Sequence, residues 1–174
     1  GLLKESLGTD DSVLFDAAVR ASLEMPGSKV TEALAVKLPR LWPENRIVVL
    51  QALGSRGDLK ALPALYAQAK QGPEATRLAA IRAVAAIGHS LSVKILVELV
   101  AEPEREITLA AQEGLAGIPG READAAALDL LKNPQANRRL IGIELVGRRR
   151  MVVALPGLLT AATDAKSPAV SDRE

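Results

Sequence analysis

The chain has 174 residues, enough for one ordinary domain, and is 48% hydrophobic but only 2% aromatic, with one Trp, one Tyr and one Phe. A formal charge of +1 provides no global field toward nucleic acid or acidic membrane. With no cysteine, disulfides, thiolate metal sites and Cys nucleophiles are all excluded, while the compartment, cytoplasmic or exported, stays open.

The apolar mass is Ala, Leu, Val and Ile. Such a composition favours closely spaced helices, because Ala lets backbones approach and loses no side-chain entropy in a helix. The opening GLLKESLG reads as the tail of an earlier helix. Asp11 to Glu24 then carries Val13, Leu14, Ala17, Ala18 and Leu23 and stops at Pro26-Gly27. Lys29 to Leu38 places Val30, Ala33, Leu34 and Leu38 on one stripe. Trp42 precedes a proline and is expected to pack on the next helix as a hydrophobic staple.

From here a period is visible. Pro43, Pro73, Pro103 and Pro134 are separated by 30, 30 and 31 positions, and each opens a polar stretch followed by an Ala-rich apolar segment. Proline is tolerated in the first turn of a helix, where its missing N–H has no intrahelical acceptor. Glu44, Glu74 and Glu104 suit the positive end of the helix dipole, and Asn133 is a plausible N-cap for the fourth copy. Gly54, Gly88, Pro119-Gly120 and Gly147 are expected to end these first helices. Second helices follow, marked by the pairs Leu62/Leu65, Val93/Leu96, Ala125/Leu128 and Leu155/Leu158 at i,i+3 spacing. Pro63 and Pro156 read as early-helix prolines, so these helices should start near Asp58 and Met151.

The pattern predicts an all-α superhelix of about five helix-turn-helix repeats, spanning roughly 9–42, 43–72, 73–102, 103–133 and 134–163 of a single repeat domain, 1–174. Partial units are expected at 1–8 and 164–174, as in a piece of a longer protein. No unit buries its apolar face alone, so neighbours must stack, giving a curved rod. Met151 to Thr163 is uncharged but too short to span a bilayer.

The Pro-Glu helix starts, Arg77 with the following LAAIRAVAAIG, and the LPxL segments at Leu62–Leu65 and Leu155–Leu158 resemble the HEAT-repeat superfamily. The likeness is to the short bacterial HEAT-like repeats related to those of phycobilisome lyases. It implies an α-solenoid, stacked right-handed, whose second helices line one surface, and it carries no catalytic residue onto a named position. HEAT-like iron hydroxylases use paired His-Glu motifs, and this chain has no His-Glu dipeptide. HEAT-like DNA glycosylases use a basic, aromatic-aided groove that one Trp and a near-neutral charge match poorly.

No pattern in the sequence asks for a metal or cofactor. His89, the single histidine, lacks ligand partners at defined spacing and is expected to be an exposed turn residue. Arg138 and Arg139 lie early in a first helix, far from Arg148, Arg149 and Arg150 in the turn after it. The latter three could dock a carboxylate or phosphate, or could simply complement a helix C-terminus. On the second helices two outward ladders are expected: Ala67, Glu98, Leu130, Thr160, and Pro63, Lys94, Ala126, Pro156. Neither is a charge stripe, so Lys94 and Glu98 are candidate contacts for a protein segment rather than a polyanion.

The expected function is therefore a non-catalytic module that binds a protein partner, with no nucleic-acid binding and no membrane insertion. The alternatives are an accessory domain of a larger exported enzyme and, less in keeping with the residues, a bilin-lyase-like enzyme.

Overall fold

The computed structural model describes residues 11–164, with side chains described through 160. Ten α-helices and no strand lie among the described residues. In chain order they are α1 (Ser12–Glu24), α2 (Ser28–Lys37), α3 (Pro43–Arg56), α4 (Leu62–Lys70), α5 (Glu74–Ile87), α6 (Val93–Leu99), α7 (Arg105–Gly117), α8 (Arg121–Leu131), α9 (Ala136–Arg148) and α10 (Leu155–Asp164). They divide between two compact units that part between Pro119 and Gly120. The partial units expected at 1–8 and 164–174 lie outside the described residues, save for Asp164 at the end of α10.

The repeat is more regular than the prolines suggest. Val30, Ala61, Ser92, Ala123 and Ala154 stand 31 residues apart, and all five are buried. Leu34, Leu65, Leu96 and Ala127 form a second such ladder, and Leu38, Ala69, Val100 and Leu131 a third. This constant period corrects the expected register of α8. Its buried positions are Ala123, Ala127, Leu130 and Leu131, whereas Ala125 is exposed. Leu130, expected to point outward, is core, and the outward residue one period after Glu98 is Asp129. Likewise Ala125, not Ala126, follows Lys94 by one period. Leu155, expected in the core, is 52% exposed, and Ala154 takes the buried place.

The prolines mark helix starts but do not share one capping position. Pro43 is the first residue of α3 and Pro73 is the N-cap of α5. Pro103 and Pro134 lie two residues before α7 and α9, whose N-caps are Glu104 and Gln135. Asn133 is therefore not an N-cap. Its Oδ1 accepts the Gln135 N–H at 3.0 Å, a local turn that competes with helix start. Trp42 corrects another expectation. Because α3 starts at Pro43, Trp42 is itself the N-cap and is 72% exposed, and the preceding Leu41 fills the buried site.

A polar side chain at one repeat position, arginine in three cases and threonine in one, ties each start to the segment before it. Arg46 Nη2 donates to the Leu41 carbonyl at 2.9 Å, and Arg77 Nε to the Ala69 carbonyl at 2.9 Å. Thr108 Oγ1 donates to the Glu102 carbonyl at 3.0 Å, and Arg139 Nη1 to the Asn133 carbonyl at 3.0 Å. These four residues are again 31 apart. They satisfy carbonyls at the helix C-terminus or in the loop that follows it.

Glycines expected as helix ends divide into two kinds. Gly88 caps α5 at φ 64, as expected, but α3 runs past Gly54 to a left-handed Gly57 at φ 66. Gly54 is needed for packing instead. A Cβ there would lie 2.8 Å from Ala83 Cα, so α3 and α5 meet nearly backbone to backbone. Gly147 is also inside a helix, with open space around it, and the left-handed residue of that turn is Arg150 at φ 53.

Short 3-10 turns lead into several second helices, and Asp58 and Met151 do head them at Leu59–Ala61 and Val152–Ala154. The Asp58 carboxylate accepts the Lys60 N–H at 3.0 Å. That bond, followed by one with Ser28, lowers its pKa from the ordinary 3.8. One period later His89 does the same work. Its Nδ1 accepts the Leu91 N–H at 3.2 Å, so the histidine is a half-buried turn cap rather than an exposed turn residue.

Gly54→Ala should lower stability by about 1–3 kcal/mol through overpacking, whereas Gly147→Ala should raise it by up to about 1 kcal/mol. Urea denaturation of both variants measures the contrast. For Asp58 the depressed carboxyl stabilises the fold above its unfolded pKa and stops doing so as pH falls through its lower folded value. Asp58→Asn should therefore lower the melting temperature at pH 7, and the gap to wild type should narrow toward pH 3.

Candidate functional site

The sequence candidates do not form one site. Arg138 and Arg139 sit in the first turn of α9, and the Arg139 guanidinium is taken up by the carbonyls of Asn133 and Pro134. Of the three turn arginines, Arg149 is held within its own unit. Its Nε and Nη2 donate to Asp124 Oδ1 at 2.8 and 2.6 Å, and Nη2 reaches the Gly120 carbonyl at 3.3 Å. The Arg149 side chain is 8% exposed, and only Arg148 and Arg150 face solvent.

The sequence held a signal for this. Arg56, three periods before Arg149, makes the equivalent contacts. It donates to Thr31 Oγ1 at 3.0 Å and to the Gly27 carbonyl at 3.0 Å, with further bonds to the Ser22 and Met25 carbonyls. In both cases the acceptor side chain lies 25 residues upstream. At the two intervening joints the same positions carry Leu62 with Ile87 and Val93 with Ile118. At these positions an arginine and its acceptor stand where the intervening repeats carry two aliphatic residues, and the hydrogen bonds hold the arginine inward.

Lys94 and Glu98 do come together with residues that sequence reasoning missed. Tyr66, Ala67 and Lys70 of α4, with Leu91, Lys94, Ile95 and Glu98 on and before α6, line a groove of about 310 Å³. Lys70 Nζ and Glu98 Oε2 pair at 2.7 Å across it. That hydrogen bond, more than the general attraction of Lys70 and Lys94, holds the Glu98 carboxyl below its usual range. Tyr66 Oη lies 3.2 Å from Ser92 Oγ, fixing the ring at the groove's edge. Leu91 is 63% exposed beside it. Lys94 takes part in no ion pair among the described residues.

A second exposed pair, Lys60 with Glu32 at 2.6 Å, lies at a different repeat position and with the charges in the opposite order. Such exposed pairs contribute little to stability, with a median near 0–1 kcal/mol, but they order the surface they cross. Among the described residues no three His, Cys, Asp or Glu side chains gather around a common point able to hold a metal ion. No described helix is long and apolar enough to cross a membrane.

Residues 32–116 match the sequence model for HEAT repeats, so this segment is HEAT-repeat sequence. No curated protein sequence matches the chain. Among solved structures, the complex of CpcE and CpcF of phycocyanin lyase from Nostoc sp. PCC7120 is similar at 18% identity with a TM-score of 0.61, covering 95% of this chain and 70% of that one. A designed armadillo repeat protein in complex with the peptide (KR)4 is similar at 16% identity and TM-score 0.55, covering 95% of this chain and 92% of that one. Computationally designed armadillo repeat proteins for modular peptide recognition are similar at 16% identity and TM-score 0.51, over 91% and 90% of the two chains. At these identities the likeness is one of fold, the HEAT and armadillo helical-repeat architecture.

Arg149→Met should destabilise the second unit by about 2 kcal/mol, because Asp124 loses a charge-assisted partner while the Gly120 carbonyl loses a donor. Arg148→Ser should change stability by less than about 0.5 kcal/mol. Chemical denaturation of the two variants side by side separates the structural arginine from the solvated one.

Proposed function

We propose that this chain is a non-catalytic binding module that holds a protein partner against its second helices, with the α4–α6 groove as a principal contact. The observation that carries the reading is the groove's makeup: an exposed Leu91, the edge of Tyr66, an ordered Lys70–Glu98 pair and an unpaired Lys94. A surface that mixes apolar side chains with a few charged ones suits a protein segment, and a lone extra cation is too little for a polyanion. Repeat surfaces of this kind offer extended contact without a deep pocket. The similar designed armadillo proteins, described as made for peptide recognition, support a peptide-like ligand for the architecture. The likeness to CpcE and CpcF transfers no residue role, so bilin chemistry is not part of the reading. The partner is a protein, and neither nucleic acid nor membrane insertion enters the reading.

A photo-crosslinking amino acid placed at position 94 in the producing cell should trap a protein partner. With that partner purified, Leu91→Ser and Lys94→Glu should each weaken binding about tenfold without lowering the melting temperature. A partner that binds both variants as tightly as wild type would refute the assignment.

A further inference from the structure

A further concavity lies on the other face of the first unit, between first helices. Ile47, Gln51, Gly54 and Ser55 of α3 and Leu78, Arg82 and Ala86 of α5 are among the residues lining a trough of about 430 Å³. Its origin is the Gly54–Ala83 contact, which draws the two helices together while small side chains leave the space above them empty. Ile47 and Leu78 form the apolar walls, and one period later Leu109 continues their row, 36% exposed. Gln51 and Ser55 line a second concavity of about 370 Å³ with Asp16, Arg20 and Leu23 of α1.

Arg82 is the one charged residue lining the larger trough. It is exposed, and no described group pairs with it. One period to either side its place is taken by Gln51 and Glu113, so the face is not a basic stripe and does not suit a polyanion. An isolated guanidinium at the edge of an aliphatic trough matches one carboxylate adjoining an aliphatic side chain.

We propose that this trough is a second protein-docking site, taking a segment of a partner that buries a Leu, Ile or Val between Ile47 and Leu78 and sets an Asp or Glu against Arg82. The site is separate from the second-helix groove, and a partner engaging both faces would gain in avidity from their linkage.

The test is selection of a displayed library of random dodecapeptides on the whole chain, followed by titration of the enriched peptides. Peptides pairing an aliphatic residue with an acidic neighbour should emerge. Their affinity should fall about tenfold on Arg82→Glu, and about tenfold on Ala86→Trp, which fills the trough from an exposed position. Lys94→Glu, on the second-helix side, should leave them unchanged. Melting curves accompany each variant, and if Ala86→Trp melts early, Arg82→Glu alone decides. The proposal is overturned if no peptide is enriched, if basic or uncharged peptides dominate, or if binding survives Arg82→Glu. Peptides lost on Lys94→Glu instead would place recognition on the second helices, overturning this site while leaving the proposed function standing.

Discussion

Among the described residues, the helices of each unit depend on a spacing of 31 residues that returns a small or apolar side chain to the same buried place. Ala61, Ser92, Ala123 and Ala154 recur at one level and Leu65, Leu96 and Ala127 at another, so within a unit the apolar face of one helix pair is presented where its neighbour can cover it. A two-helix unit has too little interior to be stable alone, and neighbour contacts supply the rest. Small residues set how close that contact is. In the first unit Gly54 allows α3 and α5 to touch almost at the backbone, and the trough above them is the geometric consequence of that approach.

Several polar side chains in this framework close it. Arg46, Arg77, Thr108 and Arg139 each bond carbonyls left over between repeats, and Arg56 and Arg149 fix the turn of the preceding repeat. Arg77 combines both kinds of bond. Its Nε holds the Ala69 carbonyl while its Nη2 pairs with Glu102, so a buried cation is satisfied on two sides. The charged groups that are candidates for a partner are not among these. Lys94, Arg82, Arg148 and Arg150 are exposed, and they stand on different elements.

That distribution bears on what kind of protein this is. The groove over α4 and α6 carries an ion pair, a tyrosine edge and an exposed leucine. The trough over α3 and α5 carries aliphatic walls and one arginine. Both are shallow features of a repeated surface, suited to reading a segment of another chain by shape and a few charges. Their chemistry differs because first and second helices meet different neighbours, although the same period generates both.

Helix order, the five-pair repeat and most core positions were readable from the chain, because hydrophobic periodicity and proline spacing report directly on which face is buried. So was the end of α5 at Gly88, whose φ of 64 only glycine adopts cheaply. The tertiary structure decided the rest. Gly54 and Gly147 look alike in sequence as helix-ending glycines. One turns out to be a packing residue and the other an exposed position inside a helix, a difference set by whether another helix lies opposite. Trp42 reads in the sequence as a staple packed on the next helix, yet with α3 starting at Pro43 it is exposed and Leu41 is the buried residue. Arg149 looked free because its partner Asp124 is 25 residues distant, and only packing brings them together. Sequence determines the period, since it is written in local spacing; which polar groups remain for a partner is settled by contacts between repeats, which no local pattern records.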